Sequence, residues 1–464
     1  MVLQSINPTT EEVIETFKPA TPRQIDALVE ETVVAFRVWR RTPISERARR
    51  VGLLAPVLRA GKQRYAALIT AEMGKPIVEA EAEIEKCAWN CEFYAANGER
   101  FLANEPVATE AAESYVAFDP LGVVLAIMPW NYPFWQVFRF LAPALVAGNS
   151  AVLKHAPNVP RCALAIEEIC RRAGLPDGLL RALLIENEQV ESVIGDDRIA
   201  AISLTGSVRA GRAVAAAAGG RIKKQVLELG GSDPFIVLAD ADLDLAASTA
   251  ARARNQNGGQ SCIAAKRLIV EESVANRFVE RLVEAVGGLQ VGDPLLRETT
   301  IGPLARVDLR EALATQVEQS KAAGARVVLG GAAPPGRGFF YQPTILDGVQ
   351  PDMAAFREET FGPVAAVVRA PDAETAVELA NESEFGLGAT LWTSDLDRAK
   401  TLVRRIEAGS VFVNGMVASD PRMPFGGIKQ SGYGRELGSF GIRELTNIKT
   451  VWIGPARPSA SAVE

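Results

Sequence analysis

Residues 123–131 read VVLAIMPWN, an apolar run that ends abruptly in a loop containing proline and asparagine. The same texture returns at residues 150–157, SAVLKHAP, and at residues 200–207, AAISLTGS. Short apolar runs that alternate with loops and helices are typical of parallel strands whose faces are covered by helices. This stretch therefore predicts an α/β fold built on a doubly wound parallel sheet.

The pattern resumes after residue 229 and predicts a second α/β domain rather than an extension of the first sheet. Helical stretches such as residues 273–287 and 395–408 separate its apolar runs, which are PFIVL, RLIV, AAVVR, ATLWT and SVFVN. Ligands of open α/β sheets bind beyond the carboxyl ends of the strands. We therefore expect functional residues in the loops that follow such runs.

Helical patterns fill much of the chain before the first of these runs. Residues 21–24, TPRQ, form a capping box with proline at the first helical position. A second pattern begins near Ser45 and stops at residues 74–76, GKP. A third carries Cys87 and Cys91 on one stripe, where they could share a metal. No further ligand cluster accompanies them, so we interpret them as core residues.

Composition limits the functions open to the chain. Apolar residues at 48% and charged residues at 23% are ordinary for a soluble globular enzyme, and a net charge of -6 gives no basic surface for nucleic acid. We find neither a secretory signal nor an apolar run that could span a bilayer. Five sparse cysteines fit a reducing compartment, so we expect a cytoplasmic protein with no nucleic-acid or membrane partner.

The histidine count narrows the chemistry further. His155 is the only histidine in 464 residues, which excludes a histidine-rich zinc site, and we expect no metal. If the protein is an enzyme, we expect its base to be a carboxylate.

The clearest chemical signal is residues 255–262, NQNGGQSC. Glycines and amides before a cysteine make a polar, mobile loop whose backbone N–H groups can point at one place. The other four cysteines are interpreted as inert small hydrophobic residues. The surroundings of Cys262 can instead expose and stabilise a thiolate, the reactive form of the side chain.

Two further residues stand in segments that suit catalysis. Glu228 is flanked by leucines, so burial would raise its pKa toward the range useful for a general base. Asn131 lies between two prolines, which hold one amide donor rigidly, as a developing oxyanion requires. Taken alone, each is more often structural, as a salt-bridged glutamate or an asparagine in a turn.

Six motifs stand along the chain in a fixed order. They are PWNYPF at residues 129–134, LTGS at 204–207, ELGG at 228–231, GQSC at 259–262, EETFGP at 358–363 and PFGGIKQSGYGRE at 424–436. Together they resemble the aldehyde dehydrogenase superfamily, and the resemblance covers nearly the whole chain. The interval from Glu228 to Cys262 also matches the family's spacing of base and nucleophile.

The resemblance implies two Rossmann-like, doubly wound parallel-sheet domains and a small β arm that joins subunits into a homodimer or homotetramer. The cofactor-binding domain would comprise residues 1–104 and 123–228, and the catalytic domain residues 229–445. Residues 105–122 and 446–464 would supply the oligomerisation arm and a tail.

The resemblance also implies a mechanism. The Cys262 thiolate attacks the aldehyde, and the oxyanion is held by the Asn131 side chain and the backbone N–H of Cys262. A nicotinamide dinucleotide accepts the hydride, and Glu228 activates the water that hydrolyses the resulting thioester.

The same resemblance assigns a cofactor site that uses no G-x-G-x-x-G motif. Lys154 would bond the adenosine ribose, and Glu359 and Phe361 would hold the nicotinamide ribose and ring. NAD-selective relatives often carry a glutamate where this chain has Pro157, so we expect NADP or NAD, with NADP tolerated. The remaining residues of this site are Trp130, close to Lys154, and Thr205, Gly206 and Ser207, which open a helix that can face the pyrophosphate.

The loops around the motifs look most like those of bacterial-type succinate-semialdehyde dehydrogenases. That likeness places Arg139 where a guanidinium holds the substrate's remote carboxylate, with Ser419 as a second partner and Trp135 shaping the pocket. A surface salt bridge is the alternative role for Arg139. Gln256 stands where some of these enzymes have a second arginine, so specificity could be broader.

Other functions stay open at this stage. One is a dehydrogenase for another short aldehyde, such as glutarate semialdehyde or an unsubstituted aliphatic one. Another is a catalytically inactive structural protein on the same fold, although intact Cys262, Glu228 and Asn131 argue against it.

Overall fold

A computed structural model describes residues 3–454, which form two large sheets covered by helices, two small two-stranded sheets and a separate three-stranded arm. The strands are, in chain order, β1 (Leu3–Ile6), β2 (Val13–Phe17), β3 (Glu105–Pro106), β4 (Glu113–Pro120), β5 (Val123–Met128), β6 (Ser150–His155), β7 (Leu180–Ala182), β8 (Ile199–Thr205), β9 (Lys224–Glu228), β10 (Asp233–Val237), β11 (Ala265–Glu271), β12 (Arg326–Leu329), β13 (Thr344–Asp347), β14 (Val364–Ala370), β15 (Phe385–Gly386), β16 (Gly388–Trp392), β17 (Ser410–Val413), β18 (Ile428–Lys429), β19 (Gly432–Tyr433) and β20 (Thr446–Ile453).

Helices alternate with these strands along most of the chain. They are α1 (Pro22–Trp39), α2 (Ile44–Gly52), α3 (Leu54–Ala60), α4 (Lys62–Met73), α5 (Ile77–Phe101), α6 (Trp135–Ala147), α7 (Pro160–Arg172), α8 (Val190–Ile194), α9 (Val208–Gly219), α10 (Leu243–Asn255), α11 (Glu272–Gly287), α12 (Val307–Ala322), α13 (Ala354–Arg357), α14 (Ala373–Asn381), α15 (Leu396–Leu402) and α16 (Gly438–Glu444).

The first sheet has the order β19-β9-β8-β5-β6-β7. Strands β9, β8, β5, β6 and β7 are parallel, and only the short β19 runs against its neighbour β9. The apolar runs VVLAIM, SAVLK and AAISL lie on β5, β6 and β8. The predicted parallel sheet is therefore confirmed. The loops after β5, β8 and β9 therefore meet at one edge of this sheet, as the parallel arrangement requires.

The second sheet has the order β12-β13-β14-β11-β10-β16-β17. It is parallel except for the β12–β13 pair, and all five apolar runs predicted after residue 229 lie on its strands. Cys262 lies just before the amino end of β11, not in a loop after a carboxyl end. The apolar run RLIV that follows Cys262 in the sequence is part of β11, so the predicted position of the cysteine ahead of a strand is confirmed.

The helical pattern predicted from Ser45 to Gly74 is divided into α2, α3 and α4. Pro56 explains the first break, because its ring would clash with the carbonyl of Gly52 in a continuous helix and it has no N–H to donate. Gly74 ends α4 with a φ of 79°, a left-handed conformation that suits glycine.

Helix α15 ends at Leu402, although the sequence predicted helix to residue 408. The side chain of Asn381 donates to the Arg405 carbonyl and accepts from the Glu407 N–H, both at 2.8 Å. These bonds replace those of another helical turn.

The predicted capping box at Thr21 is present, whereas the β1–β2 hairpin was not predicted.

Strands β3, β4 and β20 form a separate antiparallel sheet. They lie within the segments predicted as an arm, and β20 exposes Ile448 by 62% and Trp452 by 51%. Residues 455–464, the rest of the predicted tail, lie outside the described residues. None of the helices in residues 3–454 is long and apolar enough to cross a membrane.

The interpretation of Cys87 and Cys91 as core residues is confirmed. Both are fully buried on α5 and pack in the large core that α5 shares with α6. Within residues 3–454, no group of three or more histidine, cysteine or acidic side chains could hold a metal ion.

Candidate active site

A cavity of about 520 Å³ lies where α5, α6 and α10 meet the loop that carries Cys262. Four of the predicted site residues line it: Cys262, Trp135, Arg139 and Ser419. Lys86, Arg252 and Glu79, which the sequence argument did not single out, line it as well. The cavity thus joins a thiol to several charged side chains.

Backbone conformation fixes the loop before Cys262. Asn257 and Gly259 adopt φ values of 58° and 73°, and a Cβ at Gly259 would overlap the carbonyl oxygen of Gly362. Lys266 donates from Nζ to the carbonyl oxygens of Ser261 at 2.9 Å and of Cys262 at 2.7 Å. The glycines quoted in the motif are therefore needed for a tightly held turn.

The Cys262 thiol is partly exposed to the cavity but lies in a poorly hydrated environment. Burial raises its pKa to about 12, while the charges of Arg139 and Lys266 act in the opposite direction. At neutral pH the thiol is therefore mainly protonated in this structure, and its attack on a carbonyl requires a base.

Asn131 contacts the same loop. Its Nδ2 donates to the carbonyl oxygen of Gln260 at 3.2 Å, and Asn257 Nδ2 donates to the carbonyl oxygen of Asn131 at 2.8 Å. An amide nitrogen carries two protons, so one remains for another acceptor. The structure therefore brings Asn131 to the Cys262 loop, as its predicted role requires.

Glu228 ends β9 and is almost completely buried. Within the described chain neither of its carboxyl oxygens has a hydrogen-bond partner. Burial raises its pKa well above the usual value, Glu436 adds to this effect and Arg139 opposes it. Glu228 is not among the residues that line the cavity, but Arg139, which does line it, acts electrostatically on both Glu228 and Cys262.

Arg139 has protein partners in this structure. Its Nε forms an ion pair with Glu436, its Nη2 donates to Thr205 Oγ1 at 3.3 Å, and its guanidinium carbon lies 4.7 Å from the centroid of the Phe425 ring. The residue is only 1% exposed, so the alternative of a surface salt bridge is wrong. Binding of a substrate carboxylate by Arg139 stays a prediction. In this structure its guanidinium neutralises the buried carboxylate of Glu436.

Ser419 and Trp135 contact each other in the cavity wall. Trp135 Nε1 donates to Ser419 Oγ at 3.1 Å, and Lys86 Nζ donates to the same oxygen at 2.8 Å. Lys86 therefore shares the hydroxyl oxygen of Ser419 with Trp135, the other predicted residue of this wall. Lys86 was missed because a lysine within EIEKCAW on a helix is typical of a solvated surface position.

The loop after β8 can accept an anionic group. Ser207 caps α9 by accepting from the Ala210 N–H at 3.3 Å. A Cβ at Gly206 would meet nothing closer than 3.8 Å, so the backbone there is open to a ligand. The N–H groups at the start of a helix favour phosphate, which fits the predicted position of the pyrophosphate.

The residues predicted to hold the adenosine end lie at the carboxyl end of β6. Lys154 is buried, its Nζ donates to Asn187 Oδ1 at 2.7 Å, and burial lowers its pKa to about 8. Pro157 is exposed, and both side-chain polar atoms of Asn158 are buried without a partner among the described residues. Such unsatisfied atoms in the loop that follows Lys154 fit a polar ligand.

The single histidine does not face this site. His155 Nε2 lies 2.8 Å from the Pro133 carbonyl oxygen, and the Ala156 N–H donates to its Nδ1 at 2.9 Å. Burial lowers its pKa to about 4, so the ring is neutral and bonds the backbone through both nitrogens. Its role is structural.

The predicted nicotinamide end also forms a cluster. Glu359 Oε1 accepts from the Gly231 N–H at 3.0 Å and lies 3.6 Å from Lys266 Nζ. The rings of Phe361 and Trp130 meet edge to face with centroids 5.6 Å apart. Lys266 also holds the Cys262 loop, so this cluster borders the thiol. The Glu359 carboxylate can accept from ribose hydroxyls, and the aromatic faces fit a flat ring.

A model of the aldehyde dehydrogenase family matches residues 1–451. This chain belongs to that family. It is 52% identical to a probable succinate-semialdehyde dehydrogenase [NADP(+)] of Synechocystis, over 98% of this chain and all of that protein. It is 50% identical to a succinate semialdehyde dehydrogenase [NAD(P)+] of Escherichia coli, over 97% of both chains.

Solved structures agree with this assignment. A succinic semialdehyde dehydrogenase from Streptococcus pyogenes, solved with NADP+ as the cofactor, matches with a TM-score of 0.95 and 37% identity, over 98% of this chain and all of that one. The predicted fold class and the predicted family are both confirmed. As an aldehyde dehydrogenase, the chain has its nucleophile candidate, Cys262, in the cavity wall.

Glu436 is a further residue that sequence reasoning missed. It closes the quoted motif PFGGIKQSGYGRE, so a signal was present, but nothing in the sequence showed that it would pair with Arg139. This aldehyde dehydrogenase has a buried charged cluster, which consists of the carboxyl groups of Glu228 and Glu436 and the guanidinium of Arg139.

Proposed function

We propose that this chain oxidises succinate semialdehyde to succinate, with NADP or NAD as the hydride acceptor, through a thiohemiacetal and a thioester on Cys262. The observation that carries the proposal is the cavity, which joins Cys262 to three cationic side chains: Lys86, Arg139 and Arg252. A small aldehyde with a remote carboxylate combines the two groups that such a cavity can bind. The names of the relatives support the same substrate.

The first half of the reaction takes place at the Cys262 loop. The Cys262 Sγ loses its proton to water in the cavity, and the resulting thiolate attacks the aldehyde carbon, which gives a tetrahedral thiohemiacetal oxyanion. The remaining Asn131 Nδ2 proton and the Cys262 backbone N–H are the donors for that oxygen. The dinucleotide, when bound, supplies the acceptor for the hydride, and a thioester is left on Cys262.

Glu228 is the base for the second half. Burial raises its pKa, which makes its carboxylate a stronger base toward the attacking water. That water attacks the thioester carbon, the bond to Cys262 Sγ breaks, and succinate is released. The thiolate that leaves is ready for another aldehyde.

The cofactor would be held by Lys154 on β6, by the start of α9 and by Glu359 beside Lys266. Lys154 and the start of α9 suit ribose and phosphate groups, and Glu359 and Phe361 suit the nicotinamide end. Pro157 brings no negative charge to the site, so a 2′-phosphate meets no repulsion there. NADP is therefore accepted along with NAD.

The proposal also includes a homo-oligomer in the cytoplasm. The exposed apolar side chains of β20 support pairing through the arm, and the five unpaired cysteines support a reducing compartment. Light scattering that showed a monomer would contradict the first part.

The test uses the purified protein with succinate semialdehyde and either NADP+ or NAD+. Absorbance of the reduced nicotinamide and nuclear magnetic resonance of the product are followed together. We expect one succinate for each reduced cofactor and no reaction with Cys262→Ala. Turnover that persisted in Cys262→Ala, or a product other than succinate, would contradict the proposal.

A further inference from the structure

Lys86 lies on α5 with its side chain in the wall of the cavity that holds Cys262. Its Nζ donates to Ser419 Oγ at 2.8 Å and lies 4.2 Å from the centroid of the Trp135 ring. Trp135 Nε1 donates to the same serine oxygen at 3.1 Å. Three side chains that are distant in sequence therefore hold one another in a fixed arrangement.

No carboxylate in the described chain lies within ion-pair distance of Lys86 Nζ. The two acids that act on it both have other partners: Glu83 pairs with Lys75, and Asp420 accepts from two nitrogens of Arg422, at 2.9 and 2.6 Å. A half-buried cation without a counter-ion is unfavourable. An anion that enters the cavity would remove this cost.

Ser419 is prepared for the same anion. It is 6% exposed, and its oxygen already accepts from Lys86 and Trp135. Within residues 3–454 no acceptor takes its hydroxyl proton. A hydroxyl that accepts twice is a good donor, because hydrogen bonds in a chain polarise one another.

The other two cations of the cavity differ from Lys86. Arg139 is ion-paired with Glu436, so its charge is already balanced. Arg252 is exposed on α10, where water screens its charge. Lys86 alone combines an unbalanced charge with a hydroxyl donor on the same side of the cavity.

We propose that Lys86 binds the remote carboxylate of the semialdehyde through a charge-assisted hydrogen bond, next to the hydroxyl of Ser419, which the resemblance already indicates as a carboxylate partner. Lys86, more than Arg139, then sets the preference for a charged aldehyde. Trp135 is a positioning residue that holds both donors. This inference rests on the proposed function, since it names the residues that would recognise that substrate.

The test compares wild type with Lys86→Met, a neutral side chain of similar length, on succinate semialdehyde and on butanal. Butanal has the same four carbons but ends in a methyl group. We expect KM for succinate semialdehyde to rise about ten- to hundredfold, as for a lost charged hydrogen bond, with kcat/KM for butanal nearly unchanged. Lys86→Arg, which keeps the charge, should keep part of the preference.

A second measurement does not depend on turnover. Succinate should bind the wild-type protein in calorimetry more tightly than butyrate, and Lys86→Met should abolish the difference. Should Lys86→Met fail to fold, Ser419→Ala removes the other donor, and we expect a KM increase for succinate semialdehyde of about tenfold. Equal losses on both aldehydes would show a structural role and overturn the assignment.

Failure of the proposed function would look different. Wild type that oxidised butanal as well as succinate semialdehyde, or neither, would overturn the proposed substrate and this inference with it. A wild-type preference for succinate semialdehyde that survived in Lys86→Met would overturn only the role of Lys86.

Discussion

Arg139 Nε is ion-paired with a carboxyl oxygen of Glu436, and the two side chains are only 2% and 6% exposed. Burial raises the pKa of both Glu228 and Glu436, and the charge of Arg139 opposes both shifts. The same charge lowers the pKa of the Cys262 thiol from what burial alone would give. One guanidinium therefore influences the proposed base, its acidic neighbour and the proposed nucleophile.

Replacing Arg139 should destabilise the protein and slow every substrate. Arg139→Met leaves the buried carboxyl group of Glu436 without its paired cation, which typically costs about 3–5 kcal/mol. We expect this loss in the free energy of unfolding from denaturant titration, together with a lower kcat for succinate semialdehyde and butanal alike.

The control is a double variant that carries both Arg139→Met and Glu436→Gln. The second substitution removes the carboxylate that has lost its cation. It should recover part of the stability. If Arg139→Met instead kept its stability and raised only KM for succinate semialdehyde, Arg139 would be the carboxylate anchor that the sequence first indicated.

Removing the carboxylate of Glu228 should trap the thioester. In Glu228→Gln, hydrolysis loses its base, and we expect steady-state turnover to fall about 10²–10⁴-fold. Rapid mixing should show one reduced cofactor per active site before the slow phase. Mass spectrometry after acid quench should find a succinyl group on the peptide that contains Cys262. An adduct elsewhere, or none with the initial burst present, would contradict the assigned roles.

Cofactor preference should respond to a charge at Pro157. Pro157→Glu places a carboxylate where a 2′-phosphate is expected, and like charges so close should cost about 1–3 kcal/mol. We expect kcat/KM for NADP+ to fall roughly ten- to hundredfold while that for NAD+ changes little. Pro157→Gln is the matched neutral control and should leave both values near those of wild type.

The preference for a charged aldehyde should weaken at alkaline pH. Burial and Arg139 lower the pKa of Lys86 to about 8, although Cys87, Glu83 and Asp420, which also face it, act in the opposite direction. The ammonium is therefore present below that pH and lost above it. We expect KM for succinate semialdehyde, but not for butanal, to rise about tenfold per pH unit above the pKa.

That pH dependence is read from the ratio of kcat/KM for the two aldehydes, in which the titration of the catalytic groups cancels. Lys86→Arg, whose charge persists, should flatten the profile. A ratio independent of pH in wild type would mean that Lys86 does not carry the binding charge.

Local sequence signals were enough for the strands that are apolar runs and for the Cys262 loop. The apolar runs at β5, β6 and β8 are each buried along most of their length, and their type is visible without tertiary information. The glycines and amides before Cys262 also marked this cysteine in the sequence. The structure explains Gly259, because the backbone of Gly362 comes too close for a Cβ there. Motif order then identified the family.

Contacts between distant segments could not be predicted in this way. Lys86 and Ser419 are 333 residues apart, and a lysine on a helix gives no sign that a serine from a distant segment will approach it. The Arg139–Glu436 pair is of the same kind. Both depend on how the sheets and helices pack, which local periodicity does not encode.

The most direct test of the proposed function is the ratio of kcat/KM for succinate semialdehyde to kcat/KM for butanal, measured on the wild-type protein with saturating NADP+. A site that desolvates and pairs a carboxylate should favour the charged aldehyde by about a hundredfold or more. A ratio near one, or a preference for butanal, would contradict the account and leave an aldehyde dehydrogenase for another substrate.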